Sequence, residues 1–201
     1  VKLALLADIH EDVDRLRAAL HRVAREDIDQ VVVLGDVFAM GERIAETCQI
    51  LADARAVGVW GNHDFGLCYN VDDRTRCAYP AEVIEYMASL RPRLELDGCM
   101  FTHVEPWLNP EVLADLWYYD GPPDEQRKLD RIFSATPERI LFAGHYHRWL
   151  LAGPGGLVDW DGTRIADLRD GRWFAVIGAL CEGRYAVYDT ESCHLTPFNE
   201  E

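Results

Sequence analysis

Five short apolar runs in this chain stop abruptly at polar residues. "LALLA" (3–7) runs into "DIH", "VVVL" (31–34) into "GDVF", and "AVGVW" (56–60) into "GNHD". Further on, "CMFT" runs into "HVE" and "RILFA" into "GHYH". Continuous apolar runs of this length are what strands buried on both faces look like. Helical spacing separates the first three: Leu16, Ala19, Leu20, Val23 and Ala24 after Asp12, then Ile44, Ala45, Cys48, Leu51 and Ala52 within 42–54. A β-α-β-α-β order implies a mostly parallel sheet with right-handed crossovers. Open sheets of this kind bind ligands outside the carboxyl ends of their strands. Polar residues far apart in sequence should therefore meet in one crevice.

The rest of the chain is less regular. Residues 65–80 show no period and read as a long loop; 81–90 read as a helix. "RLEL" and "CMFT" flank Asp97-Gly98, a turn dipeptide, which predicts a hairpin. Helices are expected over 108–118 and 123–134. The last third, with "WDG", "RDG" and "EGR" as turn signals, reads as a second, mixed or antiparallel sheet. No repeat, low-complexity linker or boundary is visible, so 1–201 is read as a single domain, long enough for a sizeable core.

Composition narrows the function classes. The formal net charge of -15, from 35 acidic against 20 basic residues, opposes a nucleic-acid polymer as partner. No run approaches the ~18 apolar residues of a membrane span. The opening "VKLALLADIH" meets Asp8 too early for a signal peptide and reads as a first strand. The six cysteines form no C-x-x-C pair and read as small buried thiols in a reducing cytoplasm, the expected location.

Five of the seven histidines, at 10, 63, 103, 145 and 147, lie at strand ends beside Asp8, Asp36 and Asn62. His145 and His147 stand at i, i+2, which in extended chain places both side chains on one side. Alone, that pair reads equally well as surface histidines on a turn. All five histidines gathered with two carboxylates and an amide point to a metal site. Imidazole, carboxylate and amide oxygen without thiolate favour Mn, Fe, Ni or Zn over a cysteine-type structural zinc. The set exceeds what one tetrahedral ion needs. Two ions sharing a carboxylate suit phosphoryl chemistry.

The ordered set "DIH" (8–10), "GD" (35–36), "GNHD" (61–64), "TH" (102–103) and "GHYH" (144–147) resembles the calcineurin-like metallophosphoesterase superfamily. Within it, the chain looks like the compact bacterial branch related to diadenosine tetraphosphatases and small phosphodiesterases. The resemblance implies a four-layer α-β-β-α sandwich, two mixed sheets flanked by helices. It implies a dinuclear centre with a bridging hydroxide that hydrolyses a small phosphomonoester or phosphodiester, a nucleotide among the candidates. Asp8, His10 and His147 would hold the first ion and Asn62, His103 and His145 the second, with Asp36 shared. His63 would contact the phosphate and serve the leaving oxygen, with Asp64 orienting it. The second reading is a non-catalytic metal-binding scaffold of the same fold that binds protein partners.

Departures from the pattern bear on substrate. The Asp-Arg pair of the Ser/Thr phosphatases is missing from "GDVFAMG". His103 precedes "VEPW" where many compact members have His-Gly, so Glu105 could add negative charge to the substrate wall. "VIGALCEGR" replaces a Pro-Gly-Ser turn. The aromatic segment 106–121 is expected to pack Trp107, Leu113, Leu116 and Trp117 against the body, rather than to form a lid over a base. Arg148 reads either as a phosphate contact or as a solvated side chain.

Overall fold

The computed structural model describes residues 1–200. Its strands are β1 (Lys2–Leu6), β2 (Gln30–Leu34), β3 (Val57–Val59), β4 (Leu94–Leu96), β5 (Cys99–Thr102), β6 (Ile140–Ala143), β7 (Leu150–Gly153), β8 (Gly156–Leu157), β9 (Ala166–Asp167), β10 (Trp173–Val176), β11 (Arg184–Asp189) and β12 (His194–Asn199). Its helices are α1 (Val13–Val23), α2 (Ile44–Asp53), α3 (Phe65–Cys68), α4 (Asp73–Ala78), α5 (Ala81–Ser89), α6 (Leu113–Leu116) and α7 (Gln126–Ala135). A short 3-10 helix covers Leu180–Glu182.

The strands form two six-stranded sheets, β3-β2-β1-β11-β12-β9 and β4-β5-β6-β10-β7-β8. In the first, β1, β2 and β3 run parallel, while β11 returns antiparallel to β1. In the second, β5, β6 and β10 run parallel. Residue alternation on these strands assigns the layers. Leu3 and Leu5 of β1, Val32 and Leu34 of β2 and Tyr188 of β11 pack toward the second sheet, meeting Phe101 and Phe142. Ala4, Leu6, Val31 and Val33 face the other way, onto Leu16 of α1, Leu51 of α2 and Val83 of α5. Leu141, Phe174 and Val176 of the second sheet bury Leu129, Ile132 and Phe133 of α7. Fully burying one such side chain contributes about 1.5–3 kcal/mol, so each strand binds two layers at once. The result is the expected α-β-β-α sandwich. Among the described residues, no helix is long and apolar enough to cross a membrane.

Three expectations change. Residues 65–80 hold α3 and α4 rather than plain loop; Asp72 caps α4 by accepting from the Thr75 amide at 2.7 Å. The helix expected over 108–118 shrinks to α6, because Asn109 and Pro110 start a turn in which Asn109 Oδ1 accepts from the Glu111 amide. Leu116 is buried as expected and Trp107 packs partly buried against the core, but Leu113 and Trp117 are exposed. The last third does not make a sheet of its own. β7, β8 and β10 join the second sheet, and β9, β11 and β12 extend the first.

Candidate metal centre

The loops after β1, β2, β3, β5 and β6 converge and are tied together by backbone bonds. Asp8 N donates to Gly35 O (3.0 Å), His10 N to Asp36 O (2.9 Å) and Gly144 N to His103 O (3.2 Å). The chains approach too closely for side chains at two glycines. A Cβ on Gly35, whose φ is +92°, would strike the His103 ring, and one on Gly144 would lie 2.8 Å from Leu34 O. Asp8, His10, Asp36, His145 and His147 all have positive φ, between 47° and 72°. Non-glycine residues enter this region at a cost of order 1–3 kcal/mol, and such outliers cluster at functional sites. His145 and His147 are therefore not on extended chain, and the left-handed backbone sends them to different neighbours.

His145 joins a deep group. Asn62 Oδ1 lies 2.9 Å from His103 Nε2 and 3.0 Å from His145 Nδ1. His103 Nδ1 donates to Leu34 O (2.8 Å), and its Nε2 lies 3.4 Å from Asp36 Oδ2. His147 joins a shallower group. Its Nε2 lies 3.3 Å from His10 Nε2 and 3.7 Å from Asp8 Oδ1. Its Nδ1 donates to Glu182 Oε1 (3.0 Å), and His10 Nδ1 donates to Phe38 O (3.2 Å). Asp36 Oδ2 also lies 3.8 Å from His10 Nε2, so one carboxylate faces both groups.

Three clusters could each hold an ion: Asp36, His103 and His145; His10, Asp36 and His63; and His10, His147 and Cys181. Donor separations of roughly 3–4 Å are those of atoms sharing an ion at about 2.0–2.2 Å. His10, His103 and His147 each tie one ring nitrogen to a carbonyl or carboxylate and turn the other inward, as ligating histidines do. The electrostatics agree. Burial pushes Asp8 up to about 7, against the pull of His103. Burial also opposes charge on Asp36, but His103 and the His63 amide hold its carboxyl well below the usual range. Burial opposes protonation of His103 too, yet Asp36 and Asp8 raise it to about 9. His145, desolvated beside His103, falls to about 3. Buried carboxylates thus draw on His103, and added cations would stabilise their charge.

His63 is exposed. Its amide donates to Asp36 Oδ1 (3.0 Å), and its ring stands edge-on to His10 at 4.9 Å. Asp64 is fully buried, and its oxygens accept from the amides of Phe38 (2.8 Å) and Gly61 (2.9 Å). It fixes the loops that carry Asp36 and Asn62 rather than the His63 ring. Burial, with Asp36 adding to it, pushes Asp64 up to about 6. Glu105 is buried facing Tyr146, so it adds no charge to an exposed wall. Arg148 is exposed on a groove with Asp124 and Trp149, away from the cluster.

Sequence reasoning missed three residues. Glu11 accepts from the amides of Ala39, Gly41 and Arg43 and so braces the loop after Asp36. Glu182 holds His147. Cys181 stands among the candidate ligands rather than in the core, and Cys77 is exposed. No spacing marks these contacts. The only hint was the unexplained "ALCEGR" where relatives turn on Pro-Gly-Ser.

A two-sheet α/β sandwich with imidazoles, carboxylates and an amide gathered at its strand ends defines a protein with a candidate metal centre. The chain belongs to the calcineurin-like phosphoesterase superfamily, whose domain matches residues 1–192. The uncharacterized protein MJ0912 of Methanocaldococcus jannaschii is 31% identical over 95% of this chain and 81% of its own. A metallophosphoesterase from Sphaerobacter thermophilus shares the fold with a TM-score of 0.81 and 21% identity, over 100% of this chain and 88% of its own. An archaeal phosphodiesterase superposes with a TM-score of 0.60 and 14% identity over the full length of both.

Proposed function

We propose that the chain, as one catalytic domain over 1–201, is a metal-dependent hydrolase of small phosphomonoesters or phosphodiesters. Asp8, His10 and His147 would hold one ion, Asn62, His103 and His145 a second, and Asp36 both. The donor set suits Mn, Fe, Ni or Zn. The carrying observation is that three imidazoles have their outer nitrogens fixed and their inner nitrogens turned on shared carboxylates. Two ions bound there would supply an acidified water and polarise the phosphoryl oxygens.

The residues of the chain supply the rest. Asp36 spans the groups and so fixes their separation. Exposed His63, on the open side of His10, delivers a proton to the departing oxygen as the P–O bond breaks. Asp64 acts as a positioning residue through the Phe38 and Gly61 amides. The intact ligand set supports an enzyme over a scaffold that has lost catalytic residues. All six cysteines are free, which fits a reducing compartment.

The test is a panel of phosphoesters on chelated protein reloaded with Mn, Fe, Ni or Zn in turn. Turnover should appear only with metal, and small esters should be preferred over phosphopeptides. Turnover of phosphopeptides alone, or of nothing with any metal, would overturn the reading.

A further inference from the structure

The segment after α6 carries aromatic rings that folding leaves uncovered. Trp117 is 53% exposed and Tyr119 is 63% exposed. Apolar surface left in water forgoes roughly 25 cal/mol per Å², so exposed rings fixed beside the candidate metal ligands call for an occupant. Both rings lie against site residues. Trp117 is 5.1 Å from the His63 ring, and Tyr119 is 6.4 Å from His145 and 6.2 Å from Tyr146.

The segment is anchored on both sides. Leu116, immediately before Trp117, is fully buried. Tyr118 packs edge-on to Trp107 at 5.6 Å, and Arg131 lies 3.5 Å over the face of Trp107. Just beyond Tyr119, Lys128 Nζ donates to Asp120 O (2.8 Å), Gly121 O (3.0 Å) and Pro122 O (3.3 Å), and pairs with the Asp120 carboxylate at 2.8 Å. That lysine is only 6% exposed. A buried ammonium with four oxygen partners is costly to disrupt. Trp117 and Tyr119 are thus presented on a braced backbone beside the histidine placed at the leaving oxygen.

We infer that Trp117 and Tyr119 form the subsite for a planar aromatic group on the phosphoester, stacking it beside His63 and His145. This rests on the proposed phosphoesterase reading and adds the substrate class. A planar group would cover both rings, and base–aromatic stacking is sequence-tolerant because every base has a π-face.

The experiment compares three methyl phosphodiesters on the Mn-loaded protein: adenosine 5′-, 2-phenylethyl- and ribose 5-. The parent should favour the planar esters over the ribose ester in kcat/KM. That preference ratio should fall about tenfold in Trp117→Ala and in Tyr119→Ala, within the stacking range measured by alanine substitution. Trp117→Phe should recover most of it. Preference for the adenosine ester alone assigns a nucleobase; equal preference for both planar esters assigns any flat ring. A ratio near one in the parent, or one unmoved by either alanine, overturns the subsite. If no ester is turned over, the phosphoesterase reading fails, and binding decides the subsite separately. Calorimetry of adenosine 5′-monophosphate against ribose 5-phosphate should then show tighter binding of the former, lost in Trp117→Ala. Equal affinities would overturn the inference.

Discussion

His103 and His147 each turn a ring nitrogen toward a buried carboxylate, but what holds them differs. His103 is fully buried, and its outer nitrogen is fixed by the carbonyl of Leu34, the last residue of a central strand. Its neighbour Asn62 is buried as well. His147 has a side chain 35% exposed, fixed by Glu182, a carboxylate that is itself 47% exposed and is shared with Arg184. The deep half is set by the sheet; in the shallow half, His147 is set by an exposed hydrogen bond to Glu182 on a 3-10 turn. Exposed pairs contribute about 0–1 kcal/mol, whereas a buried backbone bond is costly to break. One cluster therefore combines a preorganised half with an adjustable one. Both His63 and the aromatic segment stand on its open side.

The largest expected effect is on the deep half. His103→Ala removes the partner of buried Asp36 and leaves Leu34 O without its donor. Leaving a buried charge unpaired costs roughly 3–5 kcal/mol. The variant should lose stability on that scale in a denaturant titration of the metal-free protein, whereas His147→Ala should change it by less than ~1 kcal/mol. Equal losses would erase the contrast. The second effect is on the open side. His63→Ala should keep its metals in elemental analysis but turn over alkyl esters about 10²–10⁴-fold more slowly. The loss should shrink for nitrophenyl esters, whose leaving group departs without a proton. Equal losses across leaving groups would make His63 a phosphate contact rather than an acid.

Much of this site was legible because its residues follow directly on buried strands. "LALLA", "VVVL" and "RILFA" announce themselves by continuous hydrophobicity, and the polar residue after each is then at the sheet edge by construction. Chain geometry at those ends was not legible. His145 and His147 satisfy the i, i+2 rule for extended chain, yet both turn through positive φ and serve different halves. Contacts made across long sequence separation, such as Glu182 with His147 and Glu11 with the Ala39–Arg43 amides, leave no periodic trace. The strands of the last third were visible, but alternation looks the same in either sheet, so their division between two sheets was not. Trp117 fits an apolar helical stripe, but the turn at Asn109 and Pro110 shortens that helix and leaves the ring exposed beside His63.

In the proposed centre two unequal metal positions would share Asp36, the deep one braced by the sheet and the shallow one by Glu182 behind His147. Stepwise titration of chelated protein with Mn, comparing the parent with Glu182→Gln, tests it most directly. The parent should bind two ions in separate steps. Glu182→Gln should weaken the second step by about 10–100-fold, the usual cost of losing a partner behind a ligating histidine, and leave the first unchanged. A single ion, two indistinguishable steps, or equal weakening of both by Glu182→Gln would contradict the account.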